Sequence, residues 1–589
     1  MWLIKNPGID PKRLAKECNI SELSAVLCAV RGLRDREVVE EFLEPSLEKL
    51  HDSTLMKDYN KGVSIIKDAI LSNKKIVIYG DYDCDGVIST YILYSTLKEL
   101  GAKVGYYIPQ REEEGYGLNS DRIRVLREEG YEVILTCDNG ISAIEQAKLA
   151  LDLGFTLVIT DHHDIPYKDT DEGRIFMIPE AHAVINPKQS DCPYPFKSLC
   201  GAGVAMKFAE GLFISMRRSL EEGRKYIEYA AISTVCDVVD LIGENRIIVK
   251  NGLKMLNNTR NIGLKALINE TGINNKKISA YHLGFVIGPE INATGRLESA
   301  GLALELLLEK NELLAKEKAK RLHELNTERQ RMTQESVELL EEKIITEGIS
   351  KDKILVLYCQ DVHESIAGIA AGRIKEKYNK PTIVLTRGKE MPKGSGRSIE
   401  GYNMFEELSK GRGYMEKFGG HPMAAGLSLK EENIIPLRNF LNENCQLTDE
   451  DLIPKIRFDL PLGLEFISER LINELEVFEP FGKANPSPLF GAKNIRAIKI
   501  NFIGKERNIL KLRLEIPKRG LYIDAISFDK GEAFKELIKA NFSEEEAAKL
   551  IKGGSCNISV DFIFYPSINE YNGYRNIQLV IKSIRLTQK

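Results

Sequence analysis

Short apolar runs alternate with amphipathic stretches over roughly residues 74–190. The run KKIVIYG ends at Gly80 and precedes a helix-like segment, VISTYILYSTLKEL. Further apolar runs follow the same pattern: KVGYYIP, YEVILTC, FTLVIT and HAVINP. Strands that alternate with helices over short connections form right-handed βαβ units and a parallel sheet. Because the runs are apolar at nearly every position, we expect a parallel sheet that is covered on both faces.

The pattern changes several times along the rest of the chain. Residues 1–70 carry amphipathic stretches and predict a helical region, and residues 71–300 hold the α/β pattern. Residues 301–350 are rich in Leu, Glu and Lys, which predicts a long connecting helix. A second strand–helix–strand pattern lies within residues 351–454. Residues 455–589 contain short strands with turn signals, which predict a small β-barrel. The predicted fold is therefore α/β, with two α/β domains joined by a long helix and a C-terminal barrel.

Acidic and histidine side chains follow the predicted strands where each strand ends. They are Asp81, Asp83 and Asp85 after KKIVIYG, Asp138 after YEVILTC, Asp161, His162 and His163 after FTLVIT, and Asp237 in a later segment. The carboxyl ends of parallel strands meet at one edge of the sheet, where ligands bind in such folds. Carboxylates held close together repel one another unless a cation lies among them. The pattern therefore predicts a cation site.

The residue types narrow the choice of cation. Carboxylates with imidazole suit Mn²⁺ or Mg²⁺, and the histidine favours Mn²⁺. Two ions about 3.5–4 Å apart would clamp the attacking and leaving oxygens of a phosphate ester. The alternative is that each aspartate only caps the helix that follows it. Cys84, Cys137 and Cys236 adjoin these aspartates, and we expect them to be small apolar residues facing away, with a redox-sensitive site as the alternative.

Composition limits the classes of protein. The chain has 589 residues and a net charge of −4, so no overall positive charge points to nucleic acid. Its ten cysteines include no C-x-x-C pair, and its first residues lack the apolar core of a signal peptide. The apolar runs are shorter than the roughly 20 residues of a membrane helix. We therefore expect a cytoplasmic protein that does not associate with a membrane.

One stretch is locally basic. Residues 491–530 contain ten Lys or Arg and four Asp or Glu, a balance of +6. Phe502, Tyr522 and Phe528 are interleaved with these charges. A basic groove with stacking rings is how OB-folds hold single strands without reading sequence. The stretch therefore predicts a surface for single-stranded nucleic acid, with a solvated face of a small barrel as the alternative.

Two arginines lie next to glycines. Arg296 belongs to NATGRL and Arg397 to GSGRS. Glycine permits close approach of the backbone, and arginine offers two parallel hydrogen bonds to a phosphate. We interpret both arginines as candidate phosphate contacts, with surface salt bridges as the alternative.

Several motifs together resemble one known group of enzymes. DYDCDG, TCDNG, DHH and the segment around Asp237 resemble the four motifs of the DHH phosphoesterase superfamily. GYGLN at 115–119, NATGRL at 292–297 and GSGRS at 394–398 narrow the resemblance to the RecJ family. FGGHPMAAGL resembles its DHHA1 substrate-binding domain, and FEPFGKANPSPLF resembles the run before its OB-fold. The resemblance extends over nearly the whole chain.

The resemblance implies an activity and its cofactors. It implies a single-stranded-DNA-specific exonuclease that acts in the 5′→3′ direction and releases nucleoside 5′-monophosphates by two-metal-ion hydrolysis. Two ions of Mn²⁺ or Mg²⁺ would be the cofactors, and the role would be DNA recombination and repair. A helicase and a single-stranded-DNA-binding protein are the implied partners, and the chain would be a monomer.

The resemblance also implies roles for individual residues. The implied metal ligands are Asp83, Asp85, Asp138, His162 and Asp237, with Asp81 as a ligand or outer-shell group. His163 would donate to the scissile phosphate, and Asp161 would orient His162. The implied substrate contacts are Arg111, Ser395 and Arg397 for the 5′-terminal phosphate, His421 for a phosphate at the cleavage end, and Arg296.

One departure and several alternatives accompany the resemblance. Relatives often carry Pro-Arg before the NATGRL-type motif, but this chain has Glu290 in that place, which would weaken one phosphate contact. The main alternative is another DHH phosphodiesterase, acting on short oligonucleotides or cyclic dinucleotides. A catalytically inactive scaffold is disfavoured because all the acid and histidine motifs are present. A family II pyrophosphatase is disfavoured by the chain length.

Overall fold

The chain folds into two units. The computed structural model describes residues 1–170, 173–517, 519–571 and 574–587. One unit comprises residues 47–454, and the other combines residues 1–46 with residues 455–589. Within the described ranges, no helix is both long and apolar enough to cross a lipid bilayer.

Residues 1–46 form one strand and three helices: β1 Trp2–Ile4, α1 Pro11–Cys18, α2 Glu22–Ala29 and α3 Arg36–Leu43. Asp10 and Ser21 cap α1 and α2 by accepting backbone N–H bonds in the first turn. Apolar side chains of all three helices, such as Leu14, Leu27 and Phe42, share one core with residues of the C-terminal strands. The domain boundaries predicted from the sequence stay predictions.

The 47–454 unit begins with the predicted α/β region. Its elements are α4 Tyr59–Leu71, β2 Lys75–Tyr79, α5 Cys84–Glu99, β3 Lys103–Tyr107, α6 Ser120–Glu128, β4 Val133–Cys137, α7 Ile144–Asp152, β5 Thr156–Thr160, β6 Tyr167–Thr170, β7 Gly173–Phe176 and β8 Ala183–Ile185. Five strands form a wholly parallel sheet in the order β3-β2-β4-β5-β8. Val77, Ile78 and Leu135 have no solvent exposure. The parallel sheet buried on both faces is confirmed.

Helices dominate the middle of this unit. They are α8 Gly201–Ser215, α9 Glu221–Arg224, α10 Ile227–Cys236, α11 Gly243–Leu256, α12 Ile262–Glu270, α13 Ala280–His282, α14 Gly288–Leu297, α15 Gly301–Leu308 and α16 Glu312–Thr346. The predicted connecting helix is α16, which Asn311 caps through the backbone N–H groups of Leu313 and Leu314. Its inward face, including Leu322, packs into the same core as the parallel sheet.

A second, smaller α/β region completes the unit. Its elements are β9 Leu355–Tyr358, α17 Glu364–Tyr378, β10 Thr382–Thr386, β11 Lys393–Arg397, α18 Met404–Lys410, β12 Lys417–His421, β13 Ala424–Ser428 and α19 Ile434–Glu443. The strands form one sheet in the order β12-β13-β11-β10-β9. Only β9 and β10 pair in parallel, and the other pairs are antiparallel.

The C-terminal strands close into a ring. The elements are β14 Ile456–Phe458, β15 Leu460–Pro461, α20 Glu469–Glu476, β16 Phe490–Ile503, β17 Ile509–Ile516, β18 Leu521–Ser527, α21 Gly531–Asn541, α22 Glu544–Lys552, β19 Gly554–Tyr571 and β20 Tyr574–Leu586. The sheet runs β15-β16-β17-β18-β20-β19, and β16 also pairs with β19. This extra pairing makes β16 to β20 a closed five-stranded barrel, as predicted. Beside it, β1 pairs in parallel with β14.

Candidate metal centre and phosphate-binding residues

The parallel sheet brings the predicted acid and histidine residues together at one edge. Asp81, Asp138 and Asp161 follow β2, β4 and β5, which are neighbours in the sheet. Ligand atoms within 4.8 Å of one another form three overlapping groups: Asp138, His162 and His163; Asp85, His162 and Asp237; and Asp81, Asp83 and Asp138. Seven of the eight predicted residues therefore belong to potential metal-binding groups.

The imidazole of His162 faces three carboxylates. Its Nε2 lies 3.0 Å from Oδ1 of Asp138, 3.5 Å from Oδ2 of Asp85 and 3.7 Å from Oδ2 of Asp237. Burial lowers the pKa of His162 to about 4, so the ring is neutral near pH 7 and can offer a lone pair. Neither His162 Nε2 nor Asp138 Oδ1 has a hydrogen-bond partner among the described residues, although both are buried. Such unsatisfied atoms fit a divalent cation.

The carboxylates raise one another's pKa values. Burial, and then the charges of Asp85 and Asp83, raise the pKa of Asp138 well above its ordinary range. The same causes raise the pKa of Asp237 to about 8. Burial and the Asp83 carboxylate also raise the pKa of Asp81. A group of acids arranged like this favours a bound cation, because the cation would restore their charged forms.

Asp85 is held by the start of α8. Its Oδ2 accepts the N–H of Gly201 at 2.6 Å, and its Oδ1 accepts the N–H of Ala202 at 2.8 Å and the hydroxyl of Ser233. A Cβ atom at Gly201 would lie 2.7 Å from the Cβ of Asp138. Only glycine therefore lets the helix end approach two aspartates of the cluster at once.

Asp83 caps a helix, as the alternative interpretation expects. Its Oδ1 accepts the N–H groups of Asp85 at 2.9 Å and Gly86 at 3.0 Å at the start of α5. It also belongs to the group with Asp81 and Asp138. Capping and metal binding are compatible here, because the cap uses one carboxylate oxygen and leaves the other available.

The carboxylate of Asp161 contacts the ring of His163 rather than the ring of His162. Its Oδ1 lies 2.8 Å from Nδ1 of His163, and it reaches His162 only through the backbone N–H at 2.7 Å. The expectation that Asp161 orients the His162 ring is therefore wrong, because the adjacent ring lies nearer to that oxygen. Despite burial, Asp161 raises the pKa of His163 to about 9. Burial raises the pKa of Asp161, but the charge and hydrogen bond of His163 outweigh burial, and the pKa of Asp161 is about 2.

The predicted phosphate contacts form a cluster beside Tyr82. Arg111 lies over the Tyr82 ring at 5.2 Å from its centroid. Arg296 donates from Nη1 to the carbonyl of Ser365 at 2.9 Å, and its other guanidinium nitrogens have no hydrogen-bond partner in the described part of the chain. Burial, and then the charges of Arg111 and Arg329, lower the pKa of Arg296 to about 10. These arginines are therefore close enough to repel one another, as in a site for an anion.

Ser395 and Arg397 lie two residues apart on β11 and share one face of the strand. A Cβ atom at Gly368 would lie 3.3 Å from Ser395 Oγ and 2.7 Å from Arg397 Nη2. Both side chains therefore point at the same glycine of α17. Burial and the charge of Arg111 lower the pKa of Arg397, which places Arg397 in the same cluster.

His421 ends β12, the edge strand of the second sheet. His421 and Arg397 both pair with Ala424 of β13, so they stand at the same level on either side of that strand. His421 is exposed and lies within electrostatic range of Asp164. It is therefore available to a ligand.

Two residues at the centre were not predicted. The hydroxyl of Tyr116 donates to the carbonyl of Asp138 at 3.2 Å and lies 3.1 Å from Nδ1 of His163. Lys188 pairs with Asp164 at 2.8 Å. Its charge also favours lower pKa values for His162 and Asp237. The signals were available, because Tyr116 belongs to the GYGLN motif and Lys188 follows the end of β8 at the same sheet edge.

On the barrel, two of the three predicted stacking rings are exposed. Tyr522 is 47 % exposed and Phe528 is 59 % exposed. Phe502 is only 5 % exposed and belongs to the barrel core, so the prediction of a stacking role for it is wrong. Part of the basic charge is paired locally, since Lys511 and Arg513 contact Asp524 at 3.0 and 3.8 Å. Lys518 lies outside the described residues.

Comparison with known proteins assigns a family to three parts of the chain. Residues 75–235 match the N-terminal domain of the DHH family, residues 351–447 match the DHHA1 domain, and residues 458–583 match the RecJ OB domain. The metal-centre strands β2, β4 and β5 lie inside the first match, and Ser395, Arg397 and His421 lie inside the second.

Whole-chain similarity agrees with these matches. The chain is 36 % identical to the single-stranded-DNA-specific exonuclease RecJ of Bacillus subtilis, covering 100 % of this chain and 71 % of that protein. The fold matches RecJ of Thermus thermophilus in complex with Mn²⁺, with a TM-score of 0.79 and 24 % identity over 100 % of this chain and 80 % of that one. Exonuclease RecJ bound to manganese matches with a TM-score of 0.58 and 30 % identity over 68 % of this chain and 97 % of that one. The chain thus belongs to the RecJ family of single-stranded-DNA-specific exonucleases.

Proposed function

We propose that the chain hydrolyses single-stranded DNA from its 5′ end, releases nucleoside 5′-monophosphates, and acts in DNA recombination and repair. One observation carries the chemistry: buried carboxylates surround the neutral imidazole of His162, and two ligand atoms there have no hydrogen-bond partner among the described residues. Its family relatives carry the name of single-stranded-DNA-specific exonucleases. The chemistry of the cluster and the family agree on a metal-dependent nuclease.

The cluster offers two separate sets of ligands for divalent ions, Mn²⁺ or Mg²⁺. One potential group consists of Asp85, His162 and Asp237, and another consists of Asp81, Asp83 and Asp138. The two groups share no residue, which supports two ion positions. A relative 30 % identical to this chain binds manganese, and the imidazole ligand favours the same ion. When bound, divalent ions lower the pKa of an attacking water and neutralise charge on phosphate oxygens.

The remaining side chains of the centre position the phosphate and hold protons. His163 is protonated near pH 7 because Asp161 raises its pKa to about 9 despite burial. Its Nδ1 lies 2.8 Å from Asp161, and the Tyr116 hydroxyl lies nearer to Nδ1, at 3.1 Å, than to Nε2, at 3.4 Å. Nε2 therefore donates to an oxygen of the scissile phosphate. Asp161 stays ionised and fixes the ring. This donor stabilises negative charge that grows on the phosphate oxygens in the transition state.

The arginine cluster sets the direction of digestion. Arg111, Ser395 and Arg397 bind the 5′-terminal phosphate. The guanidinium of Arg397 and the hydroxyl of Ser395 converge beside Gly368, and the charge of Arg111 lowers the pKa of Arg397. Arg296 contacts the strand nearby, and His421 contacts a phosphate at the cleavage end. A terminal phosphate fixed in this way places the first phosphodiester bond at the metal centre, so mononucleotides are released from the 5′ end.

The barrel offers a second surface for the single strand. Exposed Tyr522 and Phe528 stack on bases, and the neighbouring lysines and arginines track the backbone. Because duplex DNA does not offer free bases, a helicase and a single-stranded-DNA-binding protein supply the substrate as partners. The enzyme acts as a monomer, as the resemblance to the family implies.

The experiment is digestion of a long single strand labelled at either end, with Mn²⁺, Mg²⁺ or EDTA, beside a matched duplex. Metal-dependent release of mononucleotides from the 5′ label, and only from the single strand, is the expected result. Release from the 3′ label, or cleavage of duplex at the same rate, would contradict the proposal. Cleavage of dinucleotides without digestion of long strands would identify the alternative, a phosphodiesterase of short oligonucleotides or cyclic dinucleotides.

A further inference from the structure

Glu290 is turned away from solvent and onto the long helix. It lies in α14 and is 2 % exposed. Its Oε1 accepts a hydrogen bond from Nδ2 of Asn326 at 2.8 Å and lies 3.1 Å from Nδ1 of His323, both on α16. The carboxylate that stands after Pro289, where relatives often carry arginine, therefore joins two helices, and its charge is directed at α16.

The same contact fixes an arginine one turn further along α16. The Oδ1 of Asn326 accepts a hydrogen bond from Nε of Arg329 at 3.0 Å. Burial lowers the pKa of Arg329, and the charge of Glu290 acts against that shift. Within the described residues, the two terminal nitrogens of Arg329 have no protein acceptor. The guanidinium is thus held through one nitrogen and presents its other two.

Arg329 belongs to a junction rich in positive charge. Besides burial, the charge of Arg329 contributes to lowering the pKa of Arg296 on α14. In the same way, the charge of Arg373 on α17 contributes to lowering the pKa of Arg329. Among the described residues, Arg296 uses only Nη1 in a hydrogen bond, to the carbonyl of Ser365. Three helices therefore bring cations together where hydrogen-bond donors stay unused. Like charges gathered in a half-buried place are stabilised by an anion.

We propose that Arg329 is a phosphate-binding residue that, with Arg296, holds one phosphate of the single strand, and that Glu290 and Asn326 are positioning residues that aim it. The inference rests on the proposed function, because the single strand is the anion that this family handles. An arginine held through Nε keeps Nη1 and Nη2 for a pair of parallel hydrogen bonds to phosphate. The phosphate is either the 5′-terminal one or an internal one, and the experiment separates them.

Binding is measured in EDTA by fluorescence anisotropy, with a labelled 5′-phosphorylated single strand of twelve nucleotides. Arg329→Gln is expected to raise Kd about tenfold, as for the loss of one charge-assisted contact. It should also lower the slope of log Kd against log salt by about 0.7, which is one phosphate contact. The matched control is Arg331→Gln, because Arg331 is exposed on the same helix and pairs with Glu328 and Glu335.

Neutral methylphosphonate linkages, placed singly along the strand, then locate the contact. At the contacted linkage, Arg329→Gln should cause no further loss of affinity, whereas at other linkages the tenfold loss remains. If removal of the 5′-phosphate abolishes the effect instead, the contact is the terminal phosphate. Asn326→Ala, which leaves the guanidinium but removes its support, should raise Kd by less than tenfold, and the methylphosphonate at the contacted linkage should cancel that loss as well.

The proposal would be overturned if Arg329→Gln caused the same loss of affinity whichever linkage is neutral and whether or not the 5′-phosphate is present. A merely structural role would change the binding of every strand alike. An unchanged Kd for Arg329→Gln would overturn it as well. If that variant unfolds, Arg329→Lys keeps the charge and should raise Kd by less than tenfold, and the methylphosphonate at the contacted linkage should again cancel the loss. Because binding is measured without hydrolysis, the result does not depend on whether long strands are digested.

Discussion

Nε2 of His162 lies 3.0 Å from Oδ1 of Asp138, and neither buried atom has a hydrogen-bond partner among the described residues. A neutral imidazole nitrogen and a carboxylate oxygen are both electron-pair donors, so their closeness is stabilised by a cation between or beside them. Asp138 itself adopts a left-handed conformation with φ of 61°. Such backbone conformations concentrate at functional sites. This pair is therefore the central feature of the proposed metal centre.

Asp138→Asn should abolish metal-dependent hydrolysis while the protein stays folded. Asparagine has nearly the same shape but removes one charge from the cluster, and loss of one such group typically costs at least about 100-fold in turnover. Without metal, the variant should melt at or above the wild-type temperature, because one source of repulsion has gone. Turnover and the melting temperature in EDTA measure the two effects. The control is Asp164→Asn, an exposed residue outside the metal groups; equal losses in both variants would contradict the assignment.

Gly201→Ala should damage the metal centre, whereas Gly372→Ala should not. A Cβ atom at Gly201 would lie 2.7 Å from Asp138, so the start of α8 must move away from the cluster. At Gly372 in α17, a Cβ atom meets nothing within 4 Å. Alanine there should raise stability by up to about 1 kcal/mol, because it favours helix. Metal affinity by calorimetry and melting temperature distinguish the two variants; full metal affinity in Gly201→Ala would show that the helix end is not part of the site.

The barrel aromatics should separate into binding and folding roles. Tyr522→Ala and Phe528→Ala should each weaken single-strand binding by roughly 1 kcal/mol or more, because base stacking is lost, and leave the melting temperature nearly unchanged. Phe502→Ala should instead destabilise the barrel by roughly 3–5 kcal/mol, since its ring is in the core. Anisotropy titrations and thermal melts check both. Normal DNA affinity in the Tyr522 and Phe528 double variant would place the strand elsewhere.

Glu210 should make stability fall as pH rises. It is 5 % exposed on α8, and burial raises its pKa to about 7 from the ordinary 4.5, against the charges of Lys207 and Arg224. Between these values the folded state binds more protons than the unfolded state, so the free energy of unfolding decreases with pH. The full penalty, roughly 3 kcal/mol, applies above pH 7.

Glu210→Gln removes that penalty, so the variant should gain melting temperature over wild type at pH 8 and little at pH 5. Glu270→Gln, at an exposed position at the end of α12, is the control. A gain at pH 5 equal to that at pH 8 would show that proton binding by Glu210 is not the cause.

The sequence could predict which residues meet at the sheet edge, but not the backbone contacts from α8 that hold Asp85 there. Apolar runs ending in acids fix β2, β4 and β5, and parallel strands necessarily place Asp81, Asp138 and Asp161 together. The contacts of Asp85 come from Gly201 and Ala202, more than a hundred residues away, and that segment shows no motif. Such contacts depend on tertiary packing, which a local pattern does not encode.

Phe502 shows why the facing of side chains was harder to predict. The pairing of β16 shifts between Ala497 and Lys499, so an irregularity interrupts the alternation of inward and outward residues. Beyond the shift, Ile500 and Phe502 point inward and Lys499 points outward. A bulge of this kind reverses the facing of every later residue on the strand. Glu290 is similar, because only packing against α16 shows where its carboxylate lies.

The most direct test of the metal centre is anomalous diffraction at the manganese edge from crystals grown with Mn²⁺. The account predicts two peaks within coordination distance of the cluster: one bordered by Asp85, His162 and Asp237, and one bordered by Asp81, Asp83 and Asp138. Asp138→Asn crystals should lose at least one peak. The absence of any peak at these residues, in crystals of an enzyme that digests DNA with Mn²⁺, would contradict the account.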